Sequence, residues 1–274
     1  MARSNSGRKF SYAQPSDAWF RKFTIYFVEF LLGKRFLTKL YFKIIGQPFT
    51  PNNLYELLLK ELSISLEYDA KQLEKVPQKG PLIFVANHPF GMIDGIFLLY
   101  LVNKVRKDYF ILINEVLAQE PEMREHFVPV SFENSAIGKE INKNAKEDAR
   151  RRLAKGEVLA IFPSGAIMSK KKGAKFAREH SWRKFSASLV ADTKATVIPV
   201  FFHGTNSNLF HWVSRIHMNL RLGLLIYEAK NKQGKTFRAT IGEPIKFDSL
   251  QYQDNIPKLT KELRNITLQL NQQA

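Results

Sequence analysis

PLIFVANHPFGMIDGIFLLYLV, residues 81–102, runs from a short unbroken apolar stretch through a polar turn and back into apolar residues at helical spacing. Pro81–Ala86 has the length and continuity of a strand buried on both faces, and Gly95–Val105 has the pattern of a buried helix. A strand, a turn carrying polar groups and a helix make half of a βαβ unit. The flanking sequence repeats the alternation. Tyr109–Ile113 reads as a strand, and Lys139–Ala154 as a charged helix with Lys143/Glu147 and Glu147/Arg151 at i,i+4 spacing. Gly156 stands where that helix should end. Val158–Phe162 follows as a strand, then a helix near Trp182–Asp192 and a strand over Thr196–Phe202. Arg221–Glu228 and Thr236–Ile241 read as strands of a meander, and Ile256–Leu270 as a closing helix. The expected fold is α/β, with a mixed, largely parallel central sheet flanked by helices.

The chain has 274 residues, a net charge of +17, 22 Phe and no cysteine. So aromatic a composition excludes a wholly disordered chain. The missing cysteines remove disulfides, thiolate nucleophiles and Cys-ligated zinc. The charge implies acidic partners, and it is concentrated in two places. Residues 1–50 hold nine Lys/Arg against Asp17 and Glu29, and residues 169–184 hold seven against Glu179 alone.

In the first of these, Trp19, Phe20, Phe23, Tyr26, Phe27, Phe30 and Leu31 recur at helical spacing. Phe36, Leu37, Leu40, Tyr41, Ile44 and Ile45 repeat the pattern after Gly33, with Lys34, Arg35, Lys39 and Lys43 between them. Neither stretch approaches the about 20 apolar residues of a spanning helix, and neither has the form of a secretory signal. Basic amphipathic helices with large aromatics lie in the plane of a membrane interface; ordinary core packing is the alternative. The expected organisation is a basic-aromatic, membrane-anchoring helical segment over residues 1–60 and a catalytic-sized domain over 61–274. The expected location is peripheral, on the cytoplasmic face of a membrane with an anionic surface. The second basic run could grip nucleic-acid phosphates. With no finger, RRM-like or helix-turn-helix signature beside it, no nucleic-acid partner is expected.

Ligands of open α/β sheets gather beyond the carboxyl ends of the strands, which directs attention to Asn87–Gly95, Pro163–Ser169 and His203–Asn206. In the first of these loops His88 follows the buried strand and Asp94 opens the next helix. An imidazole backed by a carboxylate makes a general base, because the carboxylate fixes the tautomer and supports the imidazolium. Pro89 and Gly91 would let the loop fold back so that the two groups meet. Taken alone, the pair fits equally well a helix-capping Asp94 and a satisfied loop histidine.

With Asn87 before the histidine, NHPFGMID resembles the signature of the glycerolipid, or lysophospholipid, acyltransferase family. FPSG (Phe162–Gly165) is similar to that family's Phe-Pro-Glu-Gly block, VIPV (Val197–Val200) to its next block and GEPI (Gly242–Ile245) to a late strand. The resemblance covers roughly residues 75–250 and includes the 1-acylglycerol-3-phosphate acyltransferases. It departs from their pattern twice. Five residues rather than four separate His88 from Asp94, with Gly91 placed to absorb the extra one, and Ser164 replaces the glutamate. Both departures resemble a divergent branch that acylates lyso-ornithine and other amino-acid lipids.

The resemblance implies direct transfer of a fatty acyl group from acyl-carrier protein or acyl-CoA to a lysolipid hydroxyl, without a cofactor or metal. It implies catalysis by His88 and Asp94, and substrate binding by Asn87, Pro89, Gly91, Phe162, Pro163, Ser164, Gly165 and Lys170. The Pro163–Ala166 amides or the Ser164 hydroxyl are the candidates to meet an oxyanion or an acceptor head group. A non-catalytic lipid-binding or membrane-tethering protein on the same scaffold is the alternative. A serine-nucleophile reading of Ser164 fails, because Phe162 stands where the nucleophile elbow needs its first glycine. His203 reads as a packing or capping residue, His211 and His217 as structural or surface, and His126 and His180 as solvated.

Overall fold

The structure, a computed structural model, describes residues 34–114, 121–131, 133, 135–171, 173–214 and 218–272. The aromatic stretch Trp19–Leu31 lies outside them. The elements in chain order are α1 (Lys34–Ile45), α2 (Leu54–Glu61), β1 (Ser65–Glu67), α3 (Ala70–Glu74), β2 (Leu82–Ala86), α4 (Met92–Val105), β3 (Tyr109–Asn114), β4 (Phe127–Val130) and α5 (Ala136–Ala154). They continue with β5 (Val158–Ile161), α6 (Lys184–Thr193), β6 (Thr196–Phe202), α7 (Asn208–Val213), α8 (Met218–Asn231), β7 (Thr236–Ile241) and α9 (Ile256–Gln269).

The strands form one sheet in the order β1-β7-β6-β2-β5-β3-β4. β2 lies between β5 and β6 and runs parallel to both, with Phe84 level with Ala160 on one side and Ile198 on the other. β3 and β4 extend the parallel part. β7 pairs antiparallel with β6 and parallel with β1, so the sheet is mixed at that side.

Alternation along β2 divides the core. Leu82, Phe84 and Ala86 face a layer that includes Tyr55 and Leu59 of α2 and Ile93, Phe97 and Leu101 of α4. Ile83 and Val85 face Ala149 of α5, Leu189 of α6 and Leu263 of α9. Burial of β2 on both faces explains its lack of polar residues, since helices cover both sides of a parallel sheet. At the far end of the sheet from the carboxyl edges, Arg106 donates to the Gly80 and Gly156 carbonyls and pairs with Asp108, fixing the entries to β2 and β5.

α5 begins where the Ser135 hydroxyl accepts from the Gly138 N–H at 3.0 Å. It ends at Gly156, whose φ of 88° is the left-handed stop expected there. Its arginines pair with Asp148, Asp192 and Glu157. On α1, Phe36 and Leu40 pack on the core and Ile44 is buried, while Phe42 and Ile45 are exposed. Among the described residues no helix is long and apolar enough to cross a membrane.

One expected strand is a helix: Arg221–Glu228 belongs to α8. Buried Leu224, Ile226 and Glu228 do alternate as in a strand, but Ala229 and Lys232 are buried too, which no period of two allows. Glu228 and Lys232 stand four apart with nitrogen and oxygen 2.6 Å from each other, and only helical spacing brings such a pair together. His126 and His180 are half-buried rather than solvated. His126 lies 2.8 Å from the Tyr109 carbonyl and stacks on its ring, and His180 meets the Ser169 hydroxyl at 3.0 Å.

Candidate active site

Because β5, β2 and β6 are parallel neighbours, the loops that follow them emerge side by side. These loops carry Phe162–Gly165, Asn87–Asp94 and His203–Asn206. Asn87 ties two of them together. Its carboxamide oxygen accepts from the Phe202 N–H at 2.7 Å, and its nitrogen donates to the Phe202 carbonyl at 2.9 Å. The residue is fully buried.

His88 Nδ1 lies 2.9 Å from Asp94 Oδ2. The approach falls outside hydrogen-bond alignment, a looseness common in catalytic pairs before substrate binds. Asp94 occupies the first turn of α4, whose N-cap is Gly91. Its Oδ2 accepts from the N–H groups of Phe90 at 2.7 Å and Gly91 at 2.8 Å. The carboxylate therefore caps the helix and faces the imidazole with the same oxygen, so the capping and general-base readings describe one arrangement.

Gly91 makes the longer loop workable. Its φ is +91°, and a Cβ there would stand 2.8 Å from Ile167 Cδ1 and 2.9 Å from Leu225 Cδ2. The reversal returns the chain so that the extra residue still leaves Asp94 beside His88. Gly91→Ala is expected to cost about 1–3 kcal/mol of stability through backbone strain and overpacking. Urea unfolding measures this, and an unchanged midpoint would contradict it.

Phe162 stacks on the His88 ring, with centroids 4.2 Å apart at 22°. Gly165 closes the turn, donating to the Phe162 carbonyl at 2.9 Å. Pro163 is buried and accepts from the Arg183 N–H at 2.9 Å. Ser164, also buried, donates to the Ala166 carbonyl at 3.0 Å. Pro89 is buried within the His88 loop. Lys170 is half-buried, its ammonium 3.5 Å from Asn208 Oδ1 at the start of α7. All these residues cluster at the carboxyl edge of the sheet. His203 sits to one side on Thr240, at 2.7 Å, and burial together with the Arg238 charge holds it below the ordinary imidazole range. His211 is buried against the Thr205 hydroxyl, 2.8 Å away.

Two groups were not anticipated from the sequence. Glu179 is buried next to His88, and its Oε2 accepts from the His88 N–H at 3.1 Å. Its place as the lone acid in the basic run 169–184 was the available signal. Lys232 and Glu228 form a buried pair behind the loop, and their i,i+4 spacing was the available signal there.

A sequence profile described as acyltransferase matches residues 50–273. The chain belongs to the acyltransferase family. Among curated proteins it is similar to the lyso-glycine lipid O-acyltransferase of Phocaeicola vulgatus, 26% identical over 66% of this chain and 65% of that protein. It is also similar to the lyso-glycine lipid O-acyltransferase of Bacteroides thetaiotaomicron, 24% identical over 76% of each chain. The match thus spans a little under two thirds of the first relative's length. Among solved structures, the 1-acyl-sn-glycerophosphate (LPA) acyltransferase PlsC from Thermotoga maritima covers 92% of this chain and 96% of its own at 14% identity, with a TM-score of 0.47. Nothing about the acyltransferase site rests on so slight a likeness.

Proposed function

We propose that this acyltransferase moves a fatty acyl group from an acyl thioester, carried by acyl-CoA or acyl-carrier protein, to the hydroxyl of a lysolipid. The observation that carries the reading is the placement of the His88 imidazole against buried Asp94 at the carboxyl edge of the sheet. With Nδ1 turned to Asp94, Nε2 is the nitrogen left to take a proton. The acceptor hydroxyl gives its proton to Nε2 while its oxygen attacks the thioester carbonyl carbon. The tetrahedral intermediate collapses, the C–S bond breaks, and the leaving thiolate takes the proton back from the imidazolium. Asp94 stabilises that imidazolium while it lasts, and no covalent enzyme intermediate forms.

The acceptor we favour is a lysolipid with an amino-acid head group. Two relatives are named for lyso-glycine lipid, and Lys170 offers a cation for a head-group carboxylate. We further propose that the protein works at an anionic membrane surface, on the cytoplasmic side. Leu209 and Trp212 are exposed on α7, which starts at the residue that meets Lys170. Apolar side chains beside cations fit a lipid interface.

The test is release of free thiol from acyl-CoA and from acyl-carrier protein against lyso-glycine lipid, lyso-ornithine lipid and lysophosphatidate, with His88→Ala in parallel. Turnover on an amino-acid lysolipid that disappears in the variant is expected. Vesicle binding without turnover on any acceptor would instead leave a lipid-binding protein.

A further inference from the structure

The acyltransferase has a second buried carboxylate at its site, which the proton transfer described above does not use. Glu179 belongs to the excursion between β5 and α6 that opens and closes where Ser169 and Arg178 pair across it. Its Oε2 accepts from the His88 main-chain N–H at 3.1 Å, and its Oε1 from the Trp182 indole N–H at 3.2 Å. The excursion is anchored from behind. Arg264 of α9 donates to the main-chain carbonyls of Glu179 at 2.9 Å and His180 at 3.2 Å, and the His88 carbonyl accepts from the Met168 N–H at 2.7 Å.

One carboxylate thus joins the loop after β2 to the excursion after β5. Where the family carries its glutamate inside the Phe-Pro-Glu-Gly block, this chain has Ser164. A carboxylate from fifteen positions later in the sequence meets the His88 loop instead. We propose that Glu179 is a positioning residue for acyl transfer, holding the His88 main chain against the excursion after β5 and adding negative charge behind the imidazole. The inference rests on the reading of His88 as the general base.

Burial raises the Glu179 carboxyl above its ordinary value, and the His88 N–H, the Ser164 hydroxyl, the His88 charge and the Trp182 indole oppose that rise. Among the described residues, Asp94 faces the ring of His88, Arg178 and His180 flank Glu179 in the chain, and Lys232, just past α8, acts on Asp94 from behind Phe90. Arg264 meets Glu179 only at its main chain. Removing the charge of an ionised Glu179 would disfavour an imidazolium formed beside it.

The experiment compares Glu179→Gln and Glu179→Asp with the full-length enzyme, at temperatures well below their melting points. In Glu179→Gln, kcat is expected to fall on the order of tenfold to a hundredfold, with KM for donor and acceptor within about twofold of wild type. The acidic limb of kcat/KM is expected to move to lower pH by about half a unit or more. Glu179→Asp keeps the charge but retracts it by one methylene, so kcat falls while the limb stays near its wild-type position. An unmoved limb and unchanged kcat in Glu179→Gln would overturn the proposal, as would a loss confined to KM, which would make Glu179 a substrate contact. Wild-type behaviour of Glu179→Gln beside an inactive His88→Ala removes this proposal alone. An active His88→Ala removes the general-base reading itself.

Discussion

His88→Ala is expected to lower turnover by about 10²–10⁴-fold, and Asp94→Asn in the same background to cost little more. The two residues act as one unit. Without the imidazole the acceptor hydroxyl must lose its proton to water, and the leaving thiolate must find one there. Asp94→Asn alone should fall by a similar factor while keeping the fold, because the amide oxygen still accepts from Phe90 and Gly91, whose N–H groups lie 2.7 and 2.8 Å from the present carboxylate. What the amide lacks is the charge that fixes the ring tautomer and stabilises the imidazolium. Single-turnover measurements on the two single variants and the double variant provide the check. Losses that multiply in the double variant would show that the residues work independently.

The largest stability effect belongs to Lys232. The residue is 4% exposed, and its ammonium lies 2.5 Å from Asn206 Oδ1 and 2.6 Å from Glu228 Oε2. Glu228 is as deeply buried, and its other oxygen bonds to the Ser207 hydroxyl. Lys232→Met would leave the Glu228 charge without its cation, and removing one partner of a buried pair costs about 3–5 kcal/mol. For a chain of this size that is a fall in melting temperature of roughly 10 °C. Lys232→Met with Glu228→Leu should recover most of it, since an apolar pair of similar volume bears no desolvation cost. Calorimetry on the three proteins tests this, and a double variant as unstable as the single would contradict it. Activity should fall with Lys232→Met as well. Asn206 donates to the Phe90 carbonyl at 3.3 Å, and Phe90 holds Asp94 through its own N–H.

The parts of this molecule open to reading in the sequence were those written in short-range pattern. β2 and β6 announced themselves because β2 is apolar and buried throughout and β6 is so after Thr196, and Gly156 because the end of a helix needs a left-handed residue. His88 and Asp94 could be paired because they stand six positions apart in one stretch of sequence, although that spacing alone fitted a helix cap as well as a general base. α8 was misread because Leu224, Ile226 and Glu228 alternate locally, and only the partner of Glu228, four residues on, separates helix from strand. Glu179 was noticed solely as an acid among bases. Its meeting with His88 requires the excursion after β5 to fold back over the sheet edge, and no spacing in the chain encodes that distance.

The order of strands across the sheet also sets a timetable for the nascent chain. β2, which carries the His88 loop on its end, has β5 and β6 as neighbours, and its Val85 is level with Pro199. Among the described residues, β1 has one strand neighbour, at Thr236–Arg238. As synthesis proceeds, β2 therefore waits with an open edge until Thr196–Phe202 has left the ribosome, and β1 waits longer still. Contacts so distant along the chain slow folding, and a waiting apolar strand invites pairing with other chains. Ribosome-bound fragments ending before β6 should accordingly need a chaperone to stay soluble, whereas fragments ending after α9 should not.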